Sequence, residues 1–223
     1  MSRDALTADR IVGAAIDLMD AEGLEGLNMR ALGKRLDAAA TAMYWHVTSK
    51  DNLIVLATDR VWSELPLPDL DAADWRTTAT AMATDLHAMF TRHPWLVQVL
   101  AAHLVYGHGK ARHDDHHLAV YETAGFTGDQ ADQAAAAVFT YVLGNAAGTA
   151  ATAALTRRLA RGATAQAQLH ATIAKAQEIA KDYPRLRARL HTPAATQYAA
   201  APDTTFESGL HALLNGLDHQ RTG

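Results

Sequence analysis

Thr41-Ala42-Met43-Tyr44-Trp45-His46-Val47-Thr48-Ser49-Lys50 is the stretch whose reading decides the fold. Just before it, Asn28 to Leu36 spaces Met29, Leu32 and Leu36 along one side of a short helix, with Asn28 as its cap. Asp37 to Ala40 then leaves a turn, and a second short helix follows. Two short helices joined by a tight turn, placed after a longer helix, are the pattern of a helix-turn-helix. The second helix carries Thr41, Tyr44, His46 and Thr48, whose polar groups can reach bases or phosphates. Met43 and Val47 are assigned to the core. Trp45 is expected to pack between the motif and the fourth helix.

Upstream, Thr7 caps a first helix running to about Ala21, with Ile11, Ala14, Ala15 and Leu18 on one face. Gly23 ends it. Downstream, Ser49 or Thr48 caps a fourth helix through Leu53, Leu56, Ala57 and Val61. The run Leu65-Pro66-Leu67-Pro68 is the clearest boundary in the chain and divides residues 1–65 from residues 66–223. Asp74 caps a fifth helix to about Thr91, and Pro94 sits at the start of a sixth. A seventh spans about Lys110 to Thr123. An eighth, rich in Ala and Gly, runs from Thr127 to about Arg161. A ninth spans about Ala165 to Lys181 before Pro184 interrupts. His191 to Asp203 reads as a loop, and the last helix puts Phe206, Leu210, Leu213, Leu214 and Leu217 on one stripe. With no alternating strand and no repeat, the fold class expected is all-α. It combines an N-terminal three-helix DNA-binding domain with a larger C-terminal helical domain.

Composition narrows the function classes. The 223 residues are 49% hydrophobic and 20% charged, a globular balance. There is no cysteine, so disulfides, thiolate metal sites and a Cys nucleophile are excluded. Met1 to Arg10 does not read as a signal peptide, and no uncharged apolar run reaches the ~20 residues of a membrane span. The Ala-rich run after Ala134 is a poor span because Gly144, Asn145, Gly148 and several Thr interrupt it. Net charge is -4, which argues against a general nucleic-acid coat. Arg30, Lys34, Arg35 and Lys50 nevertheless cluster near the motif. His113 and His117 have i, i+4 spacing that could share a metal, but the run His113 to His117 reads first as a solvated helix face. No nucleophile motif, G-x-G-x-x-G or HExxH is present.

The run Tyr44-Trp45-His46-Val47 followed by Lys50, together with Leu24 to Arg30, resembles the tetracycline-repressor (TetR/AcrR) family from about Leu6 to Leu65. Asp74-Trp75-Arg76, Tyr121 to Phe126 and Phe206 to Leu210 resemble landmarks of that family's ligand-binding domains. The family usually has Gly near position 37; Asp37 here tolerates left-handed backbone better than most residues. The resemblance implies DNA contacts from Asn28, Arg30, Thr41, Ala42, Tyr44, His46, Thr48 and Lys50. Tyr44, His46 and Lys50 would hold phosphates, Arg30 would read guanine, and Thr41 and Ala42 would meet base edges. It implies a pocket in the C-terminal domain, for which His87, Phe90, His103, Tyr106, Phe139 and Asn145 are the candidate lining residues. A homodimer interface is expected from Ala147, Ala151, Phe206, Leu210, Leu213, Leu214 and Leu217. The function implied is a cytoplasmic repressor without cofactor or catalytic residue. It would be released from a palindromic double-stranded DNA operator by a small-molecule inducer. The alternatives are a helical enzyme or a ligand-independent interaction protein without specific DNA binding.

Overall fold

The computed structural model describes residues 6–160, 162–190 and 205–222. Helix α1 (Ala8–Glu22) begins where Thr7 Oγ1 accepts from Arg10 N at 3.2 Å and ends at Gly23, whose φ is 79°. A short 3-10 turn, Leu24–Gly26, leads to α2 (Met29–Leu36). Asn28 Oδ1 caps α2 by accepting from Ala31 N at 2.8 Å. Asp37 then adopts the left-handed conformation (φ 49°, ψ 46°), and Ala38 N donates back to Gly33 O at 2.9 Å. The turn closes so tightly that a Cβ at Gly33 would lie 2.6 Å from Ala38 O. The next helix, α3 (Ala40–Met43), is a single turn, and the chain continues as turns to Val47. Ser49 Oγ, accepting from Asn52 N at 3.0 Å, opens α4 (Lys50–Ser63).

The second half holds α5 (Trp75–Arg92), α6 (Trp95–Ala102), α7 (His108–Thr123), α8 (Gly128–Ala160), α9 (Ala163–Ala180), α10 (Pro184–Arg187) and α11 (Thr205–Thr222). No strand occurs among the described residues. Asp74 starts α5: its carboxylate accepts from the Thr77 hydroxyl at 2.8 Å and from two backbone N–H groups. Those bonds, the Thr77 hydroxyl first, hold its pKa below the usual carboxylate value. The expected loop from His191 to Asp203 lies outside the described residues, as does Arg161.

Helix α8 is the centre of the second half and packs on α5, α6, α7 and α11. By length and composition it is apolar enough to cross a membrane. Within this chain its buried positions Ala131, Ala134, Val138, Val142 and Ala146 face the other helices. Helix α4 is shared between the two halves. Leu53, Ile54, Ala57 and Val61 are buried along it, and it packs on both α1 and α7.

The stripe on α11, expected at a contact between subunits, is covered within the single chain. Phe206, Leu210, Leu214 and Leu217 are all at most 8% exposed within the single subunit, so they are not held open for a partner. The reason is that α11 is fastened to its own chain. Tyr141 OH donates to Thr205 O and Phe206 O at 3.0 and 2.9 Å, and Arg76 Nη1 donates to Leu214 O at 3.0 Å. Arg221 Nη1 donates to Ala124 O at 3.1 Å. Leu213 is half-buried against the same core.

Candidate DNA-binding and ligand-binding sites

Because α3 is one turn long, few side chains can anchor it. Met43 and Val47 do so, both fully buried beside Leu32 and Leu53. Each such burial is worth about 1.5–3 kcal/mol against leaving the side chain in water. The residues between them are forced outward. Tyr44 is 47% exposed and Trp45 89% exposed, with Thr41, His46, Thr48 and Lys50 also exposed. Trp45 therefore does not pack against α4 as expected from the sequence: the inward positions are already filled. Ala42 is half-buried and Arg30 is exposed on the same side of the motif. Asn28 is committed to the backbone, capping α2 with Oδ1 and donating from Nδ2 to Gly26 O at 3.2 Å. The result is one solvent-facing surface with an indole, a phenol, an imidazole and a lysine.

Helix α4 carries this surface into the core of the second half. Gly109 N donates to Asp59 Oδ1 at 2.7 Å, and Arg112 Nη2 donates to Ser63 O and Leu65 O at 2.9 and 3.0 Å. A Cβ at Gly109 would lie 2.4 Å from Asp59 O, so α4 and α7 touch through backbone.

Just inside that contact lies a polar cluster that sequence reading missed. Thr58 and Trp62 sit one turn apart on the buried face of α4, and Thr58 Oγ1 and Trp62 Nε1 have no hydrogen-bond partner among the described residues. His113 of α7 stands 5.2 Å from the Trp62 ring between centroids. Its Nδ1 is likewise without a hydrogen bond, the nearest carboxylate oxygen, on Asp114, being 3.7 Å away. Lys110 pairs with Asp114 and holds Nζ 5.3 Å from the Trp62 ring and 5.5 Å from the Phe139 ring. Phe90 closes the other side, 6.3 Å from Trp62. The signal available in the sequence was Thr58 and Trp62 at i, i+4 spacing on an otherwise aliphatic face.

Of the six candidate lining residues, the structure brings Phe90 and Phe139 to Trp62. His87 turns instead to α11, stacking on Phe206 at 4.2 Å. Burial there lowers its pKa, against the opposing pull of Glu207. Asn145 donates to Tyr141 O within its own helix. His103 buries Nδ1 without a partner, while Tyr106 is 76% exposed on the loop before α7. Two clefts open elsewhere, and neither includes any of the six. One of about 280 Å³ lies between Glu22–Glu25, Gln98 of α6 and Ala151 to Arg158 of α8. One of about 260 Å³ lies between Leu70 to Thr78 and Val120 to Ala124.

The solvated reading of His113 to His117 is also corrected. His113 and His117 are 3% and 5% exposed, because i, i+4 spacing puts both on the core face of α7 with Tyr121. Among the described residues no group of three metal-binding side chains converges. His117 Nε2 lies 3.1 Å from Tyr121 OH. Burial first, then the charge of His113, pulls the His117 pKa from 6.5 to about 4. Burial also raises that of the Tyr121 hydroxyl. Well above pH 6.5 His117 is neutral folded or unfolded and contributes nothing to the pH dependence. Below that, the unfolded chain takes up a proton that the folded chain refuses until about pH 4. Stability should thus fall across this window, by up to on the order of 3 kcal/mol. Urea unfolding at pH 7 and pH 5 checks this: His117→Gln should lose less stability on acidification than the unsubstituted protein. An equally steep loss in the variant would remove His117 as the cause.

Comparison with known proteins matches these two halves separately. Residues 11–57 match "Bacterial regulatory proteins, tetR family", and residues 67–221 match "Tetracyclin repressor-like, C-terminal domain". An HTH-type transcriptional regulator of Saccharopolyspora erythraea is 35% identical over 144 residues, 65% of this chain and 61% of that protein. The HTH-type transcriptional repressor DrrR1 of Streptomyces coeruleorubidus is 36% identical over 146 residues, 65% of this chain and 54% of that protein. The aligned region thus spans little more than half the length of these relatives. The TetR family protein ActR of Streptomyces coelicolor, in complex with actinorhodin, superposes with a TM-score of 0.72 at 25% identity, covering 96% of each chain. A family match over most of the chain, a helix-turn-helix with exposed polar and aromatic side chains, and a shared fold lead to one conclusion: the chain belongs to the TetR family of bacterial regulatory proteins.

Proposed function

We propose that this protein is a cytoplasmic homodimeric transcriptional repressor, released from a palindromic operator by a small molecule. The observation that carries the reading is the surface built on α3, where buried Met43 and Val47 force Tyr44, Trp45 and His46 outward between Thr41 and Lys50. In the operator complex Tyr44, His46, Thr48 and Lys50 hold phosphates, and Arg30, Thr41 and Trp45 meet bases. Asn28 contributes through the helix it caps. The boundary between the DNA-binding and ligand-binding parts falls at Pro66.

The second subunit packs on the exposed side of α8. Ala136, Gly144, Ala147, Gly148 and Ala151 line that side, and a Cβ at Gly144 or Gly148 would meet nothing within 4 Å in this subunit. Small side chains let a second helix approach closely around a two-fold axis. The exposed face of α11, with His211, Ala212 and Gly216, completes the interface.

The inducer enters the polar cluster between α4, α5, α7 and α8. A tryptophan N–H can only donate, and the ammonium of Lys110 offers only donors. The Lys110 ammonium sits against the rings of Trp62 and Phe139. The ligand is therefore a flat molecule with a carbonyl or oxyanion acceptor. That DrrR1 is named a repressor and that ActR has been seen with actinorhodin support the two halves of this reading. Ligand wedged between Trp62 and Phe139 displaces α4 relative to α7 and alters the spacing of the two α3 surfaces.

Selection of random duplexes with the full-length protein at about 0.15 M salt tests the reading. It should enrich a near-palindrome with half-site centres about one helical turn apart, or a multiple of it. Compounds that raise the melting temperature should then lower affinity for that duplex by roughly 5- to 150-fold. Failure to enrich any duplex would refute the DNA-binding reading. Ligands that bind at Trp62 yet leave the affinity unchanged would refute induction.

A further inference from the structure

Asp20, near the end of α1, reaches across to the junction of α5 and α6. Its Oδ1 accepts from Trp95 Nε1 at 2.7 Å and lies 2.8 Å from His93 Nδ1. A carboxylate can only accept, so the hydrogen is on Nδ1. His93 and Trp95 are 7% and 1% exposed, and they flank Pro94 where the chain leaves helical geometry (His93 φ -122°, ψ 68°). Helix α6, which Trp95 begins, packs on α8 and on the 3-10 turn after α1. Beside it the Arg157 guanidinium of α8 covers Gly23, so close that a Cβ there would lie 3.2 Å from Nη2.

The recognition surface is thus tied to the ligand-binding part at two places: α4 on α7, and α1 on the α5–α6 junction. A single helix line leaves rotation about its own axis soft. A second anchor off that axis removes the rotation, and α1 moves with α2 and α4 because it packs directly on both. We propose that Asp20 is a positioning residue for operator binding: by gripping His93 and Trp95 it sets the angle at which the DNA-binding helices leave the core. The proposal rests on the DNA-binding reading above. Two dimer-related surfaces can meet two half-sites together only when that angle is fixed. Hydrogen bonds to an ionised acceptor are stronger than neutral ones, and loss of the carboxylate strands two buried donors. Movement of α6 against α8 would then reach the DNA-binding helices without passing through α4.

The test titrates full-length Asp20→Ala, Trp95→Phe, Asp20→Asn and the double variant Asp20→Ala/Trp95→Phe with the duplex selected by the unsubstituted protein. The temperature is one at which circular dichroism shows every protein folded. Asp20→Ala and Trp95→Phe should each lower affinity about 10-fold. The double variant should lose less than the product of the two, because both substitutions break the same hydrogen bond. Asp20→Asn keeps an acceptor oxygen and should stay within about threefold of the unsubstituted protein. A merely structural role would lower melting temperatures and leave the affinity of the folded variants unchanged; that result overturns the proposal. If Asp20→Ala does not fold, Trp95→Phe decides alone, since it keeps a buried ring and removes the N–H. Absence of binding by the unsubstituted protein sinks the DNA-binding reading and this proposal together. Equal binding by all proteins sinks only the role of Asp20.

Discussion

Trp45→Ala is expected to weaken operator binding at least about 30-fold while leaving thermal stability nearly unchanged. The two halves of that expectation have separate causes. At 89% exposure the indole contributes little burial to the folded subunit, and surface substitutions of this kind usually fall within about ±0.5 kcal/mol. In the operator complex proposed above the same ring would be a large rigid anchor, and the proposed dimer would forfeit it in both half-sites. Lys50→Ala should act differently: weaker binding to every sequence, with a salt slope shallower by about one for each phosphate left unneutralised. Met43→Ala is the contrast, since it empties a fully buried position and should cost about 2–5 kcal/mol of stability as well as DNA binding. Anisotropy titrations against salt, with melting curves alongside, separate the three cases. Trp45→Ala binding like the unsubstituted protein would take the recognition surface off α3.

Gly148→Glu is expected to split the dimer into folded monomers and lower operator affinity more than about 100-fold, whereas Leu214→Glu should unfold the subunit. A Cβ at position 148 would meet nothing within 4 Å in its own subunit, so the backbone there leaves room for a side chain to start outward. Across the proposed two-fold axis the same change would set two carboxylates against each other in a close-packed apolar interface, and like charges there cost several kcal/mol. A monomer meets one half-site only and loses the gain of simultaneous binding. Leu214, at 2% exposure, faces its own core, and a charge there has no partner. Light scattering and circular dichroism distinguish the outcomes. A persistent dimer in Gly148→Glu would move the interface off α8, and a folded monomer in Leu214→Glu would restore the α11 stripe as a contact between subunits.

Much of the fold was legible because it is written in short-range chemistry. Thr7, Asn28, Ser49 and Asp74 each cap the helix their position announces, and Gly23 and Asp37 take the positive φ that ends a helix or turns the motif. Met43 and Val47 were readable as core from spacing alone. Trp45 was not, because it lies past the end of α3, in the turn between Met43 and Val47, and those two residues fill the inward positions there. The α11 stripe was legible as buried but not as to what buries it: periodicity says that a face is covered, and a partner subunit and the chain's own α8 cover it equally well.

The sequence by itself determined that the chain is helical, where its helices start, that a helix-turn-helix lies near the N-terminus, and which family that motif resembles. Each of these depends on residues within a few positions of one another, whose conformational preferences act before any long-range contact forms. Only the tertiary structure decided that Trp62, Lys110, His113 and Phe139 meet beside buried Thr58, that Asp20 grips His93 and Trp95, and that Phe206 stacks on His87. Those meetings join residues far apart along the chain. Their stability comes from how α4, α7, α8 and α11 pack, and the repeat of apolar positions within any one helix carries no record of its neighbour.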